Sequence, residues 1–120
     1  MKKVMSVVII MAMVLTSVIS VHAAYTRTVW TNETYDGTAD AFAGNIHSYA
    51  DAYSSSESPF VRAIFENTSG RISDSDEKPA GNSVHAFADS HDLPVQNAPI
   101  ETSFAWAFIG DLEVVCSQYY

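Results

Sequence analysis

Residues 38–56 read TADAFAGNIHSYADAYSSS, and their period decides the class of the fold. Ala39, Ala41 and Ala43 alternate with Asp40 and Phe42. Beyond Gly44-Asn45, Ser48, Ala50, Ala52 and Ser54 alternate with His47, Tyr49, Asp51 and Tyr53. Successive side chains of a strand point to opposite faces, so a period of two gathers the small residues on one face and the large ones on the other. A helix would scatter both sets around its circumference. The stretch therefore predicts two strands, or one bent strand, with a bulge or tight turn where Gly44-Asn45 breaks the period.

The same alternation recurs downstream. Residues 83–90 (SVHAFADS) set Ala86, Ala88 and Ser90 against His85, Phe87 and Asp89, and residues 102–109 (TSFAWAFI) set Ser103, Ala105 and Ala107 against Phe104, Trp106 and Phe108. Residues 25–35 (YTRTVWTNETY), 60–66 (FVRAIFE) and 112–120 carry the β-branched and aromatic content of strands. Asp36-Gly37, residues 67–70 and Gly110-Asp111 are turn signals. Residues 71–81 (RISDSDEKPAG) are charged and contain Pro79, which predicts an exposed loop, and residues 91–99 hold two prolines and read as a connector. No segment keeps helical spacing for more than a turn. Six or seven short strands joined by such turns predict an all-β fold, a small antiparallel β-sandwich. Filling the roughly 10 Å gap between two sheets favours the bulky face. Phe42, Phe87, Phe104, Trp106 and Phe108 are therefore expected inward, with Asp40, Asp51 and Asp89, which share their face, at strand ends or near an opening.

Residues 1–23 have the form of a cleaved signal peptide: Lys2 and Lys3, an apolar run, and Val21-His22-Ala23 as a small-x-small cleavage site. The uncharged run 4–19 is shorter than the roughly 20 residues of a membrane span. The expected domain is 24–120, secreted, or periplasmic in a Gram-negative source. Losing Lys2 and Lys3 takes the chain's six basic residues to four against 14 acidic ones, and the formal charge from −8 to −10. Nucleic-acid binding relies on clustered Lys and Arg to displace counterions, and only Arg27, Arg62, Arg71 and Lys78 remain, so nucleic acid is excluded as a partner. Nor is a stable membrane span expected. Cys116 has no second cysteine to pair with inside the chain, which leaves a buried apolar role or a bond between two chains in a homodimer.

Histidines and aspartates gather at His85, Asp89, His91 and Asp92, with His47 and Asp51 elsewhere. Six residues of strand separate His85 from His91 by roughly 20 Å, far beyond shared metal coordination. No nucleophile signature surrounds Cys116. The expectation is a protein without metal, cofactor or enzymatic activity. Tyrosine and tryptophan combine apolar area with a polar tip, which suits a sugar- or protein-binding platform. The candidate binding face is Tyr49, Tyr53, His85, Phe87 and Trp106, taken from the three alternating stretches.

From residue 48 to 108 the order of features resembles the lactococcin 972-like bacteriocin family. The matching features are an aromatic-and-serine strand (SYADAYSSS), an apolar strand running into a turn (FVRAIFENTSG), a polar loop closing in Ala80-Gly81, a strand alternating a large residue with alanine (HAFA), and an acidic-then-aromatic strand (ETSFAWAF). This chain departs from the family's pattern at His85, where tryptophan is usual, in its acidity, and in its additional strand 112–120. The resemblance implies a small, cofactor-free β-sandwich acting as an antibacterial at the cell envelope of other bacteria; it carries over no binding residue. The alternatives are a secreted binding or adhesion module and an acidic inhibitor of a basic protein, so the expected partner is an envelope component or another protein.

Overall fold

A computed structural model of the chain describes residues 26–119; the leader expected at 1–23 lies outside them. Eight strands follow in order: β1 (Thr26–Asn32), β2 (Gly37–Ala43), β3 (His47–Ser54), β4 (Pro59–Asn67), β5 (Gly70–Glu77), β6 (Ser83–Asp89), β7 (Ile100–Ile109) and β8 (Leu112–Tyr119). A single turn of 3-10 helix, Ser90–Asp92, follows β6. The strands form two four-stranded antiparallel sheets, ordered β1-β2-β3-β6 and β5-β4-β7-β8. Face to face, β1 lies over β8, β2 over β7 and β8, β3 over β4 and β7, and β6 over β4 and β5. This is the small all-β sandwich that the alternation predicted. Among the described residues no helix is long and apolar enough to cross a membrane.

The turns explain the hairpins. Asn32 Oδ1 accepts hydrogen bonds from the backbone N–H groups of Thr34 (2.7 Å) and Tyr35 (3.3 Å), folding the chain back after β1. Gly37 opens β2 where a Cβ would stand 2.3 Å from the carbonyl oxygen of Tyr53, so only glycine lets β3 approach there. Gly110 takes φ +61° at the first position of the two-residue β7–β8 turn, the conformation a type II′ hairpin asks of a glycine. The Gly44-Asn45 interruption is a turn between two strands, and β2 pairs with β3 from Gly37↔Ser54 to Ala43↔Ser48.

Which face is buried reverses the expectation. The interior is made of the small residues: Ala41, Ala43, Ala50, Ala63, Ala86, Ala88, Ala105 and Ala107 are completely inaccessible, as are Ser48, Ser54 and Ser103. Phe65, Val61, Val84 and Ile109 supply the larger interior side chains. Phe42, Phe87, Phe104, Trp106 and Phe108 all lie on the outer faces, partly or largely exposed. Asp40 and Asp51 stand mid-strand on an outer face rather than at strand ends, and only Asp89 closes its strand. With a small-residue interior the sheets come together closely. Ser48 Oγ on β3 donates to the backbone carbonyl of Ile64 on β4 at 2.8 Å, across a gap that large side chains would hold near roughly 10 Å.

The charged stretch expected as a loop is largely β5. It pairs with β4 from Phe60↔Glu77 to Asn67↔Gly70. Its two faces, Arg71, Ser73, Ser75 and Glu77 against Ile72, Asp74 and Asp76, are polar except at Ile72, which an edge strand tolerates and which hides it from an apolarity criterion. The connector 91–99 is anchored by Asn67, buried at a β-bulge, whose Nδ2 donates to Val95 O at 2.8 Å. Leu93 from the same connector is buried in the core.

Candidate binding faces

The outer face of the β1-β2-β3-β6 sheet is a plate of rings. The β2–β3 register sets Phe42 against Tyr49, and the β3–β6 register sets Tyr49 against Phe87 and Asp51 against His85. The ring centroids run Phe42 to Tyr49 at 5.2 Å, Phe42 to His47 at 5.4 Å, His47 to Phe87 at 5.2 Å and Phe87 to His85 at 6.2 Å. Such spacings are those of stacked and offset aromatic pairs. Phe87 keeps 40% of its surface exposed, so the plate is open to solvent.

Carboxylates border the plate. Asp40 receives two hydrogen bonds from Arg27, from Nε at 3.1 Å and Nη2 at 2.7 Å. Asp51 pairs with His85 Nδ1, and Asp89 Oδ1 lies 2.6 Å from His91 Nδ1. The Asp89 carboxyl is held below the usual carboxylate value, chiefly by the hydrogen bond from His91 N, with its own partial burial opposing. The Tyr49 hydroxyl is pushed up by burial and then by the charge of Asp40, against the opposing effect of Arg27. Each histidine–aspartate couple is a separate pair, and among the described residues no three His, Cys, Asp or Glu side chains are placed to hold a metal ion.

Of the five residues expected to form one binding face, Tyr49, Tyr53, His85 and Phe87 share this plate. Trp106 does not join them: it lies on β7, on the outer face of the opposite sheet. Alternation shows that each of these residues is on its strand's large-residue face, but not which strands share a sheet.

Around Trp106 is a feature that inspection of the sequence missed. A pocket of about 300 Å³ takes its apolar part from Ile64, Phe104 and Trp106 and its charged part from Arg62, Arg71 and Glu66, with Thr102 at its border. The β4–β7 register places Arg62 against Trp106, Ile64 against Phe104 and Glu66 against Thr102. The β4–β5 register adds Arg71 opposite Glu66. Trp106 packs edge-on against Phe104, with centroids 5.6 Å apart at 82°, and its Nε1 donates to Glu113 at 2.9 Å. The period of two already placed Arg62, Ile64 and Glu66 on one face, but only the strand pairing brings Arg71, Phe104 and Trp106 to them.

No family model matches the chain, and neither curated proteins nor solved structures show a significant match to it.

Proposed function

We propose that this chain is an exported, non-enzymatic binding protein that acts at the cell envelope of other bacteria, as the lactococcin 972-like bacteriocins it resembles do. The observation that carries this reading is the direction of the aromatic residues. Both sheets turn most of their rings to the outside, where Phe42, Tyr49, Phe87, Phe104, Trp106 and Phe108 remain accessible, while Phe65 points inward. A chain that groups accessible rings on each of two outer faces presents surfaces suited to a partner. The leader-like residues 1–23 and the order of features from 48 to 108 support export and an antibacterial role. The test is to add protein purified from its full-length gene to growing cultures of a broad panel of Gram-positive bacteria. Growth of at least one member is expected to stop in a dose-dependent way, and an unaffected panel would sink the proposal.

The charge favours a second reading, an acidic inhibitor or adhesion module. Fourteen acidic residues surround four basic ones in residues 24–120, which would steer association with a basic protein. Such a complex loosens as salt rises, and association unchanged between low and physiological salt counts against it.

A further inference from the structure

We propose that the pocket on the outer face of the β5-β4-β7-β8 sheet is a site for a small organic carboxylate, an anionic group joined to a flat apolar body. Only four basic side chains stand among the described residues, in a region that holds all 14 acidic residues of the chain. Arg27 is committed to Asp40 by two hydrogen bonds, and Lys78 lies 3.7 Å from Asp76. Neither Arg62 nor Arg71 forms an ion pair with a carboxylate of the described residues, and both line this one pocket. Glu66 faces Arg71 in register yet makes no ion pair with it. In so acidic a molecule, two guanidinium groups that share one cleft with a single carboxylate, and form an ion pair with none, mark it as the place for an anion supplied from outside.

The geometry narrows the class. Arg62 spends its Nε on Ser73 Oγ at 3.3 Å, which holds the side chain while leaving its terminal amino groups for a ligand. A planar guanidinium matches a carboxylate through two parallel N–H···O bonds. Ile64 stands between Arg62 and Glu66 along β4, and β7 borders it with Phe104 and the indole of Trp106, whose only N–H is already donated to Glu113. The indole therefore offers a ligand its apolar surface rather than a donor. About 300 Å³ is the lower end of ligand-pocket volumes, sized for a small molecule rather than a polymer. Long-range repulsion from a net negative chain also works against polyanions, leaving short-range contacts to select a small ligand. This site does not rest on the antibacterial reading, and its test involves no bacteria.

The experiment titrates the purified protein, expressed from its full-length gene, with 2-naphthoate and with its neutral counterpart 2-naphthamide, followed by calorimetry and tryptophan fluorescence. Naphthoate is expected to bind about tenfold or more tightly than the amide, the advantage of charge-assisted hydrogen bonds. Arg62→Gln and Arg71→Gln are each expected to weaken naphthoate by a similar factor, while Arg27→Gln and Lys78→Gln leave it unchanged. Circular dichroism checks that the variants keep the β-sandwich; Arg71 is exposed and Arg62 half-buried, both on the outer face, so neither change disturbs an interior contact. Lack of naphthoate binding at millimolar concentration overturns the proposal. So does equal binding of acid and amide, or an equal loss in Arg27→Gln, which would show a general charge effect instead of a site.

Discussion

Three serines are fully buried in the small-residue interior, and their hydroxyls have different surroundings. Ser54 Oγ donates to Tyr35 O at 2.7 Å and accepts from the backbone N–H of Glu57 at 3.0 Å, so one side chain closes two loops. Ser48 Oγ bridges the sheets through Ile64 O. Ser103 Oγ has no hydrogen-bond partner among the described residues. A satisfied buried hydroxyl is worth about 1 kcal/mol net, whereas an unsatisfied one carries a desolvation cost of about 1–3 kcal/mol. Ser103→Ala is therefore expected to be neutral or to stabilise by up to about 1 kcal/mol, while Ser54→Ala destabilises by about 1–3 kcal/mol as it removes the acceptor of the Ser56 and Glu57 backbone N–H groups and one of the two donors to Tyr35 O. Urea unfolding midpoints of the two variants check this. A Ser103→Ala protein clearly less stable than the parent would mean that the hydroxyl has a partner.

Two aspartates give β5 a role that its composition conceals. In the β4–β5 register Asp74 lies opposite Ala63 and Asp76 opposite Val61, so both point to the side of the sheet that faces the interior. At this rim they reach the edge of the other sheet. Asp76 Oδ2 accepts from the backbone N–H of His85 at 3.2 Å, and Asp74 Oδ2 accepts from that of Phe87 at 2.9 Å. β6 is the outermost strand of its sheet, so these amides would otherwise be free to pair with another chain. Carboxylates thus seal the edge without adding a strand. The double variant Asp74→Ala/Asp76→Ala is expected to speed hydrogen exchange at the His85 and Phe87 amides and to promote concentration-dependent self-association. Unchanged exchange at both amides would rule out this sealing role.

The whole molecule is arranged by a choice between faces. Burying a phenylalanine gains about 1.5–3 kcal/mol, while burying an unpaired charge costs several kcal/mol or more. Asp40, Asp51, Asp89, Arg62 and Glu66 share faces with the aromatic residues, so turning those faces inward would enclose charge in each sheet. Turning the alanine faces inward encloses none and lets the sheets close up. Cys116 belongs to this interior: it is 3% exposed, and its Sγ lies 3.1 Å from Ala41 O and 3.2 Å from Thr28 Oγ1 on the facing sheet. A thiol so placed has no path to a second chain. The native protein is expected to resist a thiol reagent until denaturant is added, and to sediment with the same mass with and without reductant. Rapid labelling in the native state would contradict this burial.

The all-β class, the strand period of residues 38–56 with its break at Gly44-Asn45, and the turn at Gly110-Asp111 were legible in the chain itself; that the break is a turn between two paired strands, and not a bulge in one bent strand, came from the β2–β3 pairing. Period and turn chemistry are local properties, set by neighbouring residues through side-chain alternation and backbone preference. The same locality left Tyr49, Tyr53, His85, Phe87 and Trp106 looking like one set, although four of them share a sheet and the fifth lies on the other. It also hid β5, whose polar alternation becomes a strand only beside β4. Three matters waited for the tertiary structure: which face turns inward, how the two sheets divide the aromatic residues, and the meeting of Arg62 and Arg71 beside Trp106. Each depends on strand pairing between distant segments and on weighing whole faces against each other, charge included, and no window along the sequence contains that comparison.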